Sequence, residues 1–574
     1  MPFKHLKGRK LMLCDMIYQK GSKKTDWKDY MNIIYKDLIT GKKTKMTIEE
    51  PTITLYTVKP EYRTFGKPKH FLPLNQLESK EVKYRNVMYE IAKIAGDQYL
   101  EYYKTHNNFN DKKKIFKYPY CLGGDIDIET YYRTLWNEQI EDFTRKAPSI
   151  IGLDIEVDQI NWDGPIPRHG ECEINAVTVV DNEGKTAYTF AYDNGKNPLI
   201  KDFVENRVQE VKDKFHEMFD ESYGRFEWNI YMFTDELEMI RQVFKLIHHL
   251  NKDFCMIWNM GFDIPYIIDR IEVLGGDPVD IMCANDFPTD TLYYFEDKRS
   301  FDFANKRDFF SISDYTHYTD DMINYAGLRK SQGAVKRVNL GYISQKEIKD
   351  TKLDYSDSGD IKTLPYTNYV LFILYNCKDV MLQIGIDNKV HDTETMYNVA
   401  LTNCVPYKDT LKQTSVFRGL LYSYLRKKGL VLGHNTNFDV DTKGKFDENG
   451  DLIPNDDDEE DTFQGAINGD PELNLANGIM MFGNKSKYLY GLVIDFDFSA
   501  MYPISIVSFN IFATTMIGKL YILNFKLDNP YDDDLGKEYV EDVIAKNLLF
   551  LGQKWHNLSS IEDLCMKIKR RYNV

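Results

Sequence analysis

Between residues 149 and 193 the apolar positions fall into three short β-branched stretches, SIIGLDIEVD (Ser149 to Asp158), INAVTVVD and TAYTFAYD, separated by a Pro/Gly-rich loop and a DNEGK turn. This spacing predicts a three-stranded antiparallel meander. Upstream, Thr52 to Val58 reads as a strand and Val82 to Ala95 carries a helical pattern. Downstream, helical patterns alternate with one short buried strand, FCMIWN (Phe254 to Asn259), and close with a long helix around Tyr369 to Lys389. The chain then changes character. Asp447 to Asp461 is acidic and reads as a solvated loop, and Tyr490 to Pro503 reads as another apolar strand. The final SSIEDLCMKIKRRYNV has a capping box from Ser559 to Glu562, with Ile561, Leu564, Cys565 and Ile568 at helical spacing. There is no internal repeat. The pattern is that of a multidomain α/β and α+β chain.

At 574 residues the chain exceeds what a single hydrophobic core supports. Its 43% hydrophobic and 28% charged residues are the balance of a folded globular protein. The formal charge of -15 decides little about partners, because a nucleic-acid groove needs only local basic clusters. Such clusters are Lys112, Lys113, Lys114 and Lys117; Lys330, Lys336 and Arg337; and Lys567, Lys569, Arg570 and Arg571. A solvated face is the commoner role for runs of this kind. Eight scattered cysteines show no zinc spacing and read as reduced core thiols. With no signal-type segment and no run of about 18 apolar residues, a cytoplasmic protein with no membrane partner is expected.

Three acidic elements carry the candidate chemistry. Asp154 and Glu156 lie two apart on a strand, so both carboxylates project from one face. In WNMGFDIPYIIDRI a buried strand ends at Trp258 and Asn259, and Asp263 stands just before a helix initiated at Pro265. In LFILYNCKDVMLQIGID, Tyr375 and Asp379 share one helical face. Each has a bland alternative: a solvated pair for Asp154 and Glu156, a turn residue and an N-cap for Asn259 and Asp263, and a lysine-paired acid for Asp379.

Taken in order, D-x-E on a strand, N-x-x-F-D at a strand-to-helix turn and Y-x-x-x-D on a later helix resemble the 3′-to-5′ proofreading exonuclease of family B DNA polymerases of the T4-like phage type. GECEINAVTVV follows the first motif in a similar context. The family usually has three residues between the Asn and the Phe-Asp, whereas only Met260 and Gly261 separate them here. The resemblance implies an RNase H-like domain in which Asp154 bridges two metal ions. Glu156 and Asp379 would complete the site of the ion that activates water, Asp263 would support the other, and Tyr375 would orient the water. Asn259 and Phe262 would contact the DNA. All-oxygen ligands favour Mg²⁺ or Mn²⁺ over zinc.

By the same resemblance, IDFDFSAMYPISI (Ile494 to Ile506) is similar to the first palm motif of these polymerases. Asp497 would ligate two catalytic metals, and Ser499 and Tyr502 would contact the incoming dNTP, with Tyr502 gating against ribonucleotides. TFQGAINGDPE (Thr462 to Glu472) is similar to the segment joining exonuclease and palm. Neither a K-x-x-x-N-S-x-Y-G helix nor a D-T-D-S hairpin follows, and one carboxylate cannot hold two ions. The implied division is an N-terminal domain (1–147), the exonuclease (148–395), a connecting segment packing on the N-terminal domain (396–485) and a partial palm (486–574).

The leading expectation is the N-terminal part of a family B polymerase, acting on primer-template and single-stranded 3′ ends. Nucleotide addition would require a second polypeptide carrying fingers, remaining palm and thumb, and a sliding clamp is a further candidate partner. The alternatives are a stand-alone 3′-to-5′ exonuclease with a vestigial palm and a non-catalytic DNA-binding replisome scaffold.

Overall fold

The computed structural model describes residues 2–433 apart from 64–70, 141–145, 299, 301 and 331–336, together with 548–551 and 554–557. The chain divides into two units, Met1–Asp441 and Thr442–Val574. In the first unit, β1 (Leu11–Gln19), β2 (Tyr30–Asp37) and β3 (Lys43–Glu49) form an antiparallel sheet. Among β4 (Thr52–Val58), β5 (Phe71–Pro73), β6 (Leu77–Lys83) and β7 (Cys121–Leu122), a second sheet has the order β6-β4-β7. Helices α1 (Val87–Ala95) and α2 (Ile128–Gln139) join these sheets in a core that includes Phe3, Ile33, Leu55, Ile91 and Trp136. The helix anticipated from Val82 starts later, at Val87. Val82 instead belongs to β6, where it faces Ile53 and is buried by cross-strand pairing, so the apolar step from Val82 to Val87 marks a change of element.

The middle of the unit is a six-stranded mixed sheet of order β11-β10-β9-β8-β12-β15. The anticipated meander is its centre: β8 (Ile150–Val157), β9 (Ile174–Asp181) and β10 (Thr186–Tyr192) pair antiparallel in succession. Every residue of β9 is buried, the pattern of a strand covered on both faces. β11 (Glu227–Phe233) adds in parallel to β10, and β12 (Phe254–Ile257) in parallel to β8. After the hairpin of β13 (Leu292–Phe295) and β14 (Phe309–Ile312), β15 (His317–Asp320) pairs in parallel with β12.

Two apolar layers enclose this sheet. α4 (Glu236–Leu250) and α5 (Met260–Val273) bury Ile240, Phe244, Ile264 and Ile267 against Ile151, Leu153 and Ile155. The opposite layer holds Phe215 and Phe219 of α3 (Val208–Tyr223), together with Val380 and Ile384 of α7 (Tyr369–Val390), packed with Ala176, Val180 and Met256. Between them in sequence, α6 (Asp321–Leu328) follows β15 directly. α7 is apolar and long enough to cross a membrane by composition alone, but 83% of that apolar window is buried, which makes it a core helix.

The chain then returns to the first core. Met396, Tyr397 and Leu401 of α8 (Asp392–Asn403) and Tyr422 of α9 (Gln413–Lys427) share the cluster of Phe3 and Trp136, and β16 (Leu430–Leu432) pairs antiparallel with β5. In the second unit, β17 (Leu548–Leu551) and β18 (Lys554–Asn557) form an antiparallel pair. The seven cysteines among the described residues are free thiols, six of them buried.

α7 crosses β8 at Gly152. A Cβ there would lie 2.8 Å from Cγ1 of Val380 and 3.4 Å from Cδ1 of Ile384. Gly152→Ala is expected to lower unfolding stability by about 1–3 kcal/mol through overpacking, measured by denaturant unfolding. Unchanged stability would show that the layer gives way freely.

Candidate active site

The two-residue period of β8 turns Asp154 and Glu156 to one face, and the close approach of α7 brings Asp379 to them. Ligand oxygens of these three carboxylates lie within 4.8 Å of one another. Tyr375 lies one turn before Asp379 on α7, buried.

Asp263 approaches from the sheet edge. Contrary to the expectation that Asp263 precedes a helix initiated at Pro265, α5 begins at Met260, so Asp263 lies in its first turn and Pro265 inside it. The cause is Asn259, whose left-handed backbone (φ 71°) turns the chain directly out of β12, closed by the Phe262 N–H to the Asn259 carbonyl at 2.9 Å. Asp263 is therefore not an N-cap. Its buried carboxylate instead lies toward the N–H of Ile155, which favours its charged form, two residues past Leu153, the last β8 residue paired with β12. It stands outside the trio, yet close enough for its charge to act on Asp154. The Asn259 side chain is exposed, and Phe262 stacks on Tyr266 with ring centroids 5.4 Å apart.

One residue of the centre went unnoticed in the sequence. Lys352, in the irregular stretch after Leu340–Glu347, forms an ion pair with Asp379 and donates to the Tyr375 hydroxyl at 3.2 Å. Its segment is pinned to α7 by Asp350, which pairs with Lys378 at 2.5 Å and accepts from Tyr223 at 2.9 Å. A single lysine in a polar run gives no signal of this kind.

The carboxylates are electrostatically crowded. Burial and the charges of Asp263, Glu156 and Asp379 hold Asp154 well above the usual carboxylate range. Burial and Asp379 push Glu156 up to about 8, and burial pushes Asp263 up to about 8 despite the Ile155 N–H. Burial raises Asp379 as well, against the pull of Lys352. Desolvation alone would lower Lys352, but the acids around it raise it instead. Burial beside Asp379 lifts the Tyr375 phenol far above its ordinary 10.

This donor set fits hard divalent cations. It offers carboxylate oxygens without His or Cys, and Oδ1 of Asp379 is buried with no hydrogen-bond partner. A cavity of about 910 Å³ lies elsewhere, near Trp27, Tyr103 and Phe109. Asp497, Ser499 and Tyr502, with the acidic stretch and the linking segment before them, lie outside the described residues.

A mixed sheet whose strand β8 presents D-x-E to an acid from the covering helix is an RNase H-like arrangement. Residues 82–319 match the DNA polymerase family B exonuclease domain. The chain is similar to the DNA polymerase of Choristoneura fumiferana nuclear polyhedrosis virus, 26% identical over 207 residues, or 35% of this chain and 20% of that protein. It is also similar to the DNA-directed DNA polymerase of Enterobacteria phage T4, 22% identical over 295 residues, or 50% of this chain and 31% of that protein. The matched part thus spans under a third of these relatives.

A carboxyl whose native pKa is raised gives stability that is fully present below its unfolded value and lost as pH rises through the native one. For Glu156 that window runs from 4.5 to about 8, and for Asp263 from 3.8 to about 8. The metal-free chain is therefore expected to lose thermal stability from pH 5 to pH 8.5, and millimolar Mg²⁺ or Mn²⁺ to restore it at pH 8. Melting curves with and without EDTA measure this, and a flat metal-free profile would contradict the crowding.

Proposed function

We propose that the chain hydrolyses DNA from the 3′ end, using two Mg²⁺ or Mn²⁺ ions held by Asp154, Glu156, Asp263 and Asp379. The observation that carries this reading is the convergence of three carboxylates, with a fourth beside them, in surroundings that disfavour their charge. A scaffold without chemistry would gain stability by losing them. Bound ions supply charge neutralisation at the scissile phosphate, an activated water and stabilisation of the leaving oxygen.

Asp154, which feels the charges of Asp263, Glu156 and Asp379 alike, would be the ligand shared by both ions. Glu156 and Asp379 would complete one site and Asp263 would support the other. Tyr375 keeps its proton at neutral pH, so it orients the attacking water instead of deprotonating it. Lys352 offsets one negative charge and fixes both Asp379 and the Tyr375 hydroxyl. Asn259, exposed on its turn, and Phe262 offer a surface to the 3′ nucleotide. Residues 148–395 are the exonuclease, 1–147 an N-terminal domain, 396–485 a connecting segment and 486–574 a partial palm, acting in the cytoplasm. In the palm portion Asp497 would ligate the catalytic metals, and Ser499 and Tyr502 would contact the dNTP, for extension of primer-template once another polypeptide supplies the remaining motifs.

Replacing Asp154 and Glu156 by Ala is expected to cut Mn²⁺-dependent trimming of a 3′-labelled single strand about a thousandfold or more, roughly 4 kcal/mol in barrier, without lowering the metal-free melting temperature at pH 8. Retained trimming would refute the site. Tyr375→Phe should cost about ten- to a hundredfold, and Asp379→Ala much more, because a ligand carboxylate outweighs a positioning hydroxyl. Equal losses with intact metal binding would give the tyrosine a larger role. In primer extension the chain alone is expected to add no nucleotide. Extension should appear with a partner bearing the missing helix and hairpin, and Asp497→Ala should abolish it while sparing 3′ trimming. Extension by the chain alone would overturn the need for a partner.

A further inference from the structure

Behind the carboxylates runs a buried line of hydrogen bonds that the reading above does not use. Trp228 Nε1 on β11 donates to Thr189 Oγ1 on β10 at 3.0 Å, and Thr189 meets Thr178 Oγ1 on β9 at 2.7 Å. Thr178 donates to Asn376 Oδ1 on α7 at 2.5 Å, and Asn376 Nδ2 donates to Asp154 Oδ2 at 3.1 Å. Thr178, Thr189 and Asn376 are fully buried and Trp228 is nearly so.

The sense of this relay is fixed at its far end. An indole N–H can only donate, so Thr189 accepts from Trp228 and keeps its own hydrogen for Thr178. Thr178 then spends its hydrogen on Asn376 Oδ1, which leaves the amide N–H₂ facing Asp154. A flipped Asn376 would turn its oxygen toward the carboxylate and have Thr178 donate to Thr189, which already accepts from Trp228, stranding the Thr189 hydrogen in an apolar interior.

We propose that Asn376 is a positioning residue for the metal centre: the relay anchored at Trp228 fixes one orientation of the Asp154 carboxylate by engaging Oδ2, and thereby presents Oδ1 to a divalent cation. This rests on the reading of Asp154 as a metal ligand. The geometry gives Asn376 a function distinct from packing, since an apolar residue of similar volume would fill the space without steering the carboxylate. Groups that orient metal ligands in this way typically affect metal affinity by about 10- to 100-fold when removed.

The test is Mn²⁺ binding to the full chain, followed by electron paramagnetic resonance and calorimetry, for the wild type and for Asp154→Ala, Asn376→Ala, Thr178→Val and the Asn376→Ala/Thr178→Val double variant. Asn376→Ala is expected to weaken Mn²⁺ about 10- to 100-fold. Thr178→Val, which never touches Asp154, should weaken it less but in the same direction. In the double variant Thr178→Val should add nothing, because the relay is already cut; a merely structural loss would add in both backgrounds. In trimming assays the Mn²⁺ requirement should rise while KM for DNA is unchanged. If Asn376→Ala does not fold, Thr178→Val decides alone. Wild-type Mn²⁺ affinity in the folded relay variants, with Asp154→Ala defective, overturns the relay only. Failure of the wild type to bind Mn²⁺, or full binding by Asp154→Ala, overturns the underlying site.

Discussion

The close approach of α7 to β8 at Gly152 sets the geometry on which the centre depends. A side chain at this position would hold the helix farther from the strand and draw a short Asp on the helix away from an Asp and a Glu on the strand. With no Cβ at Gly152, Val380 and Ile384 settle directly on the strand, and Asp379, adjacent to Val380, comes down beside Asp154 and Glu156. The same contact brings Asn376, one turn earlier, within hydrogen-bond reach of Asp154 and of Thr178 on the neighbouring strand. Packing and chemistry therefore share residues: the apolar side of α7 holds the helix at the distance its polar side requires.

That arrangement stores unfavourable electrostatics. Four buried or half-buried acids face one lysine, and each acid is raised from its ordinary value. The surrounding fold tolerates this because the destabilised groups are anchored from behind by ordinary structure. Asp154 and Glu156 lie on a strand paired there with β9, Asp263 faces the Ile155 N–H, and Asp379 lies within a helix of 22 residues. The backbones that carry them are thus held in place, and protons or cations relieve the charge.

Much of this was legible in the sequence because it is periodic. The three strands of the meander, Thr52 to Val58 and the helix of Tyr369 to Val390 carry period-2 or apolar-run signals over their whole length, and the same periodicities place Asp154 with Glu156 and Tyr375 with Asp379. What escaped were features decided by single residues or by contacts remote in sequence. The helix expected from Val82 gave way to a strand because β4 captures that residue, and α5 starts early because Asn259 adopts a left-handed turn. Lys352 and Asn376 lie in no recognisable pattern. The lysine is set in a polar stretch 27 residues from Asp379, and Asn376 would read as one more interruption of an apolar helix.

Lys352 also bears on the plainest alternative for Asp379, that of an acid neutralised by a nearby lysine. The ion pair exists, but it does not account for its surroundings. A self-sufficient buried pair would satisfy both carboxylate oxygens and stand apart from other acids. Here Oδ1 of Asp379 is buried without a partner, and Asp154 and Glu156 crowd the same space, raising the lysine above its ordinary value. Lys352 pairs with Asp379 and Lys378 with Asp350, and Asp154, Glu156 and Asp263 have no ion pair among the described residues, which further lysines could have supplied had neutrality been the only requirement. A centre kept short of positive charge, with an oxygen left open toward its neighbours, is instead complementary to cations that arrive from solution, with Lys352 covering the one carboxylate that the helix brings from outside the sheet.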